Sequence, residues 1–221
     1  MFDRLFKIWG GKNLLGQAFD EFNAILDEAK RLFDAATDVL LAKEGARLTK
    51  EELCRRDTRI NDLERSIRSK IIEYLAFEPD GDAPAALVLF SVVKDAERLG
   101  DFCKDIMDLV DHMKMGGDHE KYRKPLLEME SQLEKMFDNA QRAFLESDEK
   151  LARSVVETKA LIKKECKEVL SEVMKDNELN SEGAASLALV IYYFKRVSAH
   201  LFNIGSTVLV PAAQIGHYKL K

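Results

Sequence analysis

The sequence predicts an all-α fold, six long helices forming two tandem three-helix-bundle repeats, and three observations carry this. Apolar residues recur at helical spacing almost throughout, and no segment alternates as a half-buried strand would. Only 4 Pro and 11 Gly interrupt 221 residues, while helix formers such as Leu, Ala, Glu and Lys dominate. The chain also matches itself: ERLGDFCKDI (97–106) aligns without a gap to KRVSAHLFNI (195–204). Arg98 then pairs with Arg196, Leu99 with Val197 and Ile106 with Ile204, as two copies of one helical unit would.

The elements follow in order. Residues 1–13 form an N-terminal amphipathic segment, with Phe2, Leu5, Phe6 and Trp9 on one face and Gly10-Gly11 as its stop. Asp3, Arg4 and Lys7 interrupt it too early for a signal peptide. It either folds back onto the domain or docks on a membrane surface or a partner. The first repeat occupies 14–115, with helix breaks near Gly45 and at Pro79-Asp80-Gly81. Thr49-Lys50-Glu51-Glu52 reads as a capping box opening its second helix. Gly116-Gly117 divides the halves, and the second repeat occupies 118–212. Its breaks fall near Ser147-Asp148 and around Asn177 to Ser181, with Ser181 the expected cap of the last helix. A tail, 213–221, closes the chain.

Composition narrows function. A net charge of -5, with no basic cluster interleaved with aromatics, argues against a nucleic-acid binder. Cys54, Cys103 and Cys166 are widely separated and form no CxxC pair. They read as small buried hydrophobes in a reducing, cytoplasmic protein. No apolar run approaches the roughly 20 residues needed to span a bilayer. None of the four His follows a Glu by three residues, so the ligand pairs of a ferritin-like di-iron centre are missing. No Gly-rich phosphate loop and no nucleophile–base constellation is legible, so the chain is not expected to be an enzyme.

The third helix carries the chemistry that stands out. Glu97, Asp101, Asp105, Asp108 and His112 fall in one stripe. Val92, Ala96, Leu99, Cys103, Ile106, Val110 and Met113 form the apolar seam, and the wheel places the stripe roughly opposite it. By geometry the stripe is a solvated face, with Arg98 and Lys104 relieving its repulsion, and any metal on it would sit at an open surface. An antiparallel second helix would bring Asp57 and Asn61 to the height of Glu97. Gly100 costs about 1 kcal/mol in a helix, which a close helix approach would justify. His200 lacks a second ligand at helical spacing and reads as structural.

RDTRINDLE (56–64) followed by DAERLGDFCKDI (95–106) resembles the PhoU family of phosphate-signalling regulators. The family pattern, an acidic-x-x-Ile-Asp/Asn-x-x-Glu helix and then E-R-I-G-D-x-x-x-N-I, occurs twice. The first half matches through Asp57, Ile60, Asn61, Glu64, Glu97, Arg98, Gly100 and Asp101. LVPAAQIGHYK near the end is similar to the family's closing segment. In the second half Lys195 and Ala199 replace both motif acids, and ETKALIKKE (157–165) replaces the acidic helix core. The resemblance implies a cytoplasmic adaptor on a phosphate transporter component, a membrane sensor histidine kinase, or both. Its membrane association would be peripheral and through those partners. It further implies a divalent-metal site (Fe, Mn, Zn, Mg or Ca) in the first half, on Glu97 and Asp101 and more weakly on Asp57, Asn61 and Asp105, with the second site absent or reduced. Alternatives are an accessory protein of a sodium–phosphate cotransporter, a metal-binding storage or redox bundle, and a helical scaffold that homodimerises through its long seams.

Overall fold

The computed structural model describes residues 13–78, 80–113 and 119–211. The amphipathic segment expected over 1–13 (apart from Asn13), the Gly116-Gly117 divide and the tail over 213–221 lie outside them. Six helices follow in order: α1 Leu14–Leu40, α2 Lys50–Phe77, α3 Ala83–Asp108, α4 Glu120–Glu146, α5 Glu149–Val173 and α6 Ser181–Ser206, with a 3-10 turn at Thr207–Leu209. No strand occurs among the described residues. None of these helices is long and apolar enough to cross a membrane.

Side-chain caps explain where most helices begin. Asn13 accepts from Gly16 N, Thr49 from Glu52 N, Asp82 from Ala85 N, Asp148 from Lys150 N and Leu151 N, and Asn180 from Gly183 N. Each satisfies an amide that has no partner inside its helix. The last cap corrects the expectation for Ser181, which is the first helical residue: the Asn180 amide oxygen reaches Gly183 N at 2.7 Å. Glu52, expected to complete a capping box, instead pairs with Arg56 at 2.8 Å. Gly45 takes φ +76°, a left-handed turn that costs glycine least.

Helices α1–α3 pack as one three-helix unit and α4–α6 as another, and α1–α4 and α3–α6 join the two. Phe33 of α1 makes ring contacts to Phe137 of α4 (5.3 Å) and Phe194 of α6 (5.9 Å), while Phe22 meets Phe144 at 4.9 Å. Polar ties run beside these rings. Lys30 pairs with Asp138, Gln141 donates to Asn23 and Asp27, and Lys43 meets Glu130 at 2.8 Å. Rising numbers on α1 thus meet falling numbers on α4, so the two helices are antiparallel.

The α3–α6 contact is antiparallel as well, and it obeys the internal repeat. His200 Nδ1 lies 2.8 Å from Asp95 Oδ1, and the rings of Phe102 and Tyr193 are 6.0 Å apart. In the repeat register Asp95 corresponds to Tyr193 and Phe102 to His200. Each contact is therefore the image of the other under a pseudo-two-fold axis. The Phe102–His200 ring pair, at 5.5 Å, maps onto itself and sits on that axis. Cys103 and Cys166 are buried as expected, whereas Cys54 is exposed on the solvent side of α2.

Two outcomes follow. Phe33 is fully buried against both partner helices, so Phe33→Ala should cost about 3–5 kcal/mol in urea unfolding. Beside it, the Asp34 carboxyl is pushed up to about 6 by burial and then by Glu134, Asp38 and Glu130, against the pull of Lys30. A carboxylate raised above its unfolded 3.8 destabilises the fold when ionised, and that penalty fades as pH falls through 6 toward 4. Asp34→Asn should therefore raise the thermal midpoint at neutral pH, with a gain that shrinks toward about pH 4.

Candidate functional site

One close packing contact sets the α2–α3 flank. A Cβ on the buried Gly100 would lie 2.9 Å from Ile60 Cδ1 of α2, so the missing side chain lets Ile60 seat against α3. Neighbouring turns then face each other. Lys104 Nζ reaches Asp57 Oδ1 at 2.8 Å and Asp101 Oδ1 at 3.0 Å. Asn61 Nδ2 donates to Asp57 Oδ2 at 3.3 Å, and Arg98 donates to Asp101 Oδ2 at 2.8 Å. Burial alone would lower the Lys104 ammonium, but its bonds to Asp57 and Asp101 and their charges outweigh it and hold the pKa above the usual lysine value.

The acidic stripe is not the solvated face that the helical wheel implies. Glu97 is only 7% exposed, and Asp101 and Asp105 are half-buried, while Asp108 and His112 do face solvent. The reason is that α3 has neighbours on three sides, α1, α2 and α6, so its flanks are covered as well as its apolar seam. Glu97 Oε2 lies 2.8 Å from Lys94 Nζ and 3.8 Å from Arg98 Nε. The Lys94 contact is an ion pair without hydrogen-bond alignment, since this buried oxygen accepts no geometrically sound bond. Burial first, then Asp101 and Asp108, push the Asp105 carboxyl up, against Lys104.

The five residues implied as metal ligands are thus only partly assembled. Asp57, Asn61 and Asp101 come together, while Glu97 and Asp105 sit one turn to either side with surroundings of their own. No group of three or more His, Cys, Asp or Glu among the described residues is placed to hold an ion. The Lys104 ammonium stands between the carboxylates of Asp57 and Asp101, where a bridging cation would. As packed, these side chains do not fit a divalent ion.

In the second half two residues of the aligned KRVSAHLFNI segment have another task. His200 Nδ1 and Asn203 Nδ2 both converge on Asp95 Oδ1 at 2.8 Å. His200 Nε2 lies 3.1 Å from Arg196, which can only donate, so Nε2 accepts and Nδ1 carries the proton toward Asp95. His200 is therefore a tie between the halves, as its structural reading expected. Sequence reasoning missed Asp95 as the centre of this tie and Lys104 as the bridge to α2. Asp95 stands in the quoted DAERLGD run, but nothing in its spacing announces a partner on the last helix.

Comparison with known proteins bears on the whole chain. The family model described as the PhoU domain matches residues 22–110 and again 126–208. The chain is 26% identical, over 91% of its length and 85% of the relative's, to a phosphate-specific transport system accessory protein PhoU homolog of Pseudomonas putida. Its fold is similar to the crystal structure of PhoU from Pseudomonas aeruginosa, with a TM-score of 0.74 at 21% identity, covering 95% of this chain and 97% of that one. It is also similar to that of the phosphate transport system regulatory protein PhoU from Streptococcus pneumoniae, with a TM-score of 0.77 at 17% identity, covering 94% and 97%. At these identities the two structures speak for the fold alone.

Lys104→Met leaves two half-buried carboxylates without their shared cation, and should lower unfolding free energy by about 1–3 kcal/mol. It also vacates the space between Asp57 and Asp101. Added manganese should therefore raise the melting temperature of the variant more than that of the wild type. The reverse order would show that the ammonium does not hold a metal's place.

Proposed function

The chain belongs to the PhoU family, and from that premise we propose that it is a cytoplasmic regulator of phosphate transport. It acts as an adaptor, docking helix faces onto a phosphate transporter component, a membrane sensor kinase, or both. The observation that carries this reading is the family match in both halves, 22–110 and 126–208, over a body whose two repeats are held in one arrangement. The name of the Pseudomonas putida relative, a phosphate-specific transport system accessory protein, points to the transporter as the first partner to seek.

The site geometry supports docking over chemistry. The α2–α3 flank is a network of charge pairs: Lys104 with Asp57 and Asp101, Arg98 with Asp101, Lys94 with Glu97. Such a network fixes the relative rotation of two helices and offers no free nucleophile or base. The unusual exposure lies elsewhere: Ile72 and Phe77 on α2, Leu161 on α5, and Leu189 and Tyr192 on α6 are large apolar side chains facing solvent.

Affinity capture of the full chain from phosphate-replete and phosphate-starved cells tests the proposal. A phosphate transporter component or a sensor kinase should be recovered, in amounts that differ between the two conditions. Recovery of neither in either condition would overturn the adaptor reading.

A further inference from the structure

The two repeats share a buried framework that puts their surfaces in register. Leu53, Ile60, Ile67 and Ile71 of α2 correspond to Val155, Ile162, Val169 and Val173 of α5, and all eight are buried. Val92, Leu99 and Ile106 of α3 correspond in the same way to Val190, Val197 and Ile204 of α6. In this register six positions on the outer seam of each helix pair differ in kind, Asn61 becoming Lys163 and Lys94 becoming Tyr192 among them. Phe90 becomes Ala188, Glu64 becomes Cys166, Arg68 becomes Leu170 and Glu97 becomes Lys195.

In the first repeat that seam is filled. The Arg68 guanidinium lies 4.7 Å from the centroid of the Phe90 ring and its Nε donates to Glu64 at 2.8 Å, while Glu97 pairs with Lys94. At the equivalent positions of the second repeat that ring and both carboxylates are missing, Tyr192 stands where Lys94 does, and Glu165, one residue before Cys166, is turned to Gln132. Between α5 and α6 lies a groove of about 230 Å³, floored by Cys166, Leu170, Ala188 and Ile191, walled by the Tyr192 ring and rimmed by Lys163, Lys167 and Lys195. Among the described residues none of these three lysines has a carboxylate partner, although salt bridges are frequent elsewhere on the surface. Lys159, one turn before Lys163 on α5, lies over the Phe202 ring at 3.5 Å, and burial and then the Lys163 charge hold its pKa below the usual lysine range. The volume falls short of the roughly 300–1,000 Å³ typical of cofactor sites, and suits a single large side chain.

We infer that the α5–α6 groove is a docking site for an acidic segment of a partner protein, which inserts one aromatic side chain between flanking carboxylates. Phe90, Glu64 and Glu97 supply that same arrangement from within the first repeat, so the first repeat displays the ligand that the second lacks. Charge complementarity selects the acids, and the space left by Ala188 selects the ring. The inference rests on the adaptor reading for the existence of a partner, and assigns that partner's contact chemistry.

Fluorescence anisotropy of the full chain with a labelled Glu-Glu-Phe-Glu-Glu peptide tests it. The wild type should bind this peptide at least about tenfold more tightly than Gln-Gln-Phe-Gln-Gln or Glu-Glu-Ala-Glu-Glu. Ala188→Phe, which copies the first repeat, should weaken binding by about tenfold or more, and so should Lys195→Glu on the exposed rim. Thermal melts of both variants check that the fold is kept. Absence of saturable binding, equal binding of the control peptides, or unchanged affinity in a folded Ala188→Phe would overturn the inference. Binding to phosphatidylglycerol vesicles that Ala188→Phe does not alter, without peptide binding, would assign the lysines to a membrane surface instead. A dimer that Ala188→Phe dissociates would assign the groove to a second copy. Any of these failures leaves the capture experiment untouched, whereas failed capture with intact peptide binding would overturn the adaptor reading and leave the contact chemistry of the groove standing.

Discussion

Phe33 packed between Phe137 and Phe194 is the contact on which the rest of the architecture depends. Each three-helix unit alone would leave an apolar stripe of α1 or α4 in water. Joining the stripes buries aromatic rings, each with 150–250 Å² of surface, and turns two small bundles into one core. The ring contacts alone would tolerate sliding. Gln141 with Asn23 and Asp27, Lys43 with Glu130, and Asp95 with His200 and Asn203 set the axial register, because displaced polar partners inside a low-dielectric seam would go unpaired.

The same seam explains the character of the charged residues. With α1, α2 and α6 around it, α3 has no flank that is wholly open, and Glu97 of the family motif becomes a nearly buried anion with lysine and arginine beside it. Asp57 and Asp101 become the two arms of a clamp closed by Lys104. Gly100 makes this possible by letting Ile60 come close, and the helix-propensity cost of about 1 kcal/mol is offset by the packing it permits.

The pseudo-two-fold axis sets the stage for divergence. Positions that must pack stay apolar in both halves, while equivalent surface seams are free to change sign. The first seam is filled and its carboxylates are paired with Arg68 and Lys94, and the second is cationic and hollow. Substitutions at Ala188, Cys166, Leu170 and Lys195 do this without touching the buried framework of Ile162, Val169 and Val197. A repeat protein can acquire a new surface in one copy in this way, since the other copy still carries the original.

Helix number, the order of the helices, the repeat and the family were determined by the sequence itself, though α3 stops at Asp108, eight residues before the Gly116 break. These rest on local physics: apolar residues at helical period, caps such as Thr49 and Asp148, and breakers between runs. Asn180 caps in place of Ser181 because neighbouring polar residues compete for one cap. Tertiary structure alone decided that Glu97 is buried, that Lys104 bridges Asp57 and Asp101, that His200 answers Asp95, and that the second seam is hollow. Each of these joins residues on different helices, and a helical wheel sees only one helix at a time. Which face of a helix meets water is set by how many neighbours it has, and that number exists only after the chain has packed.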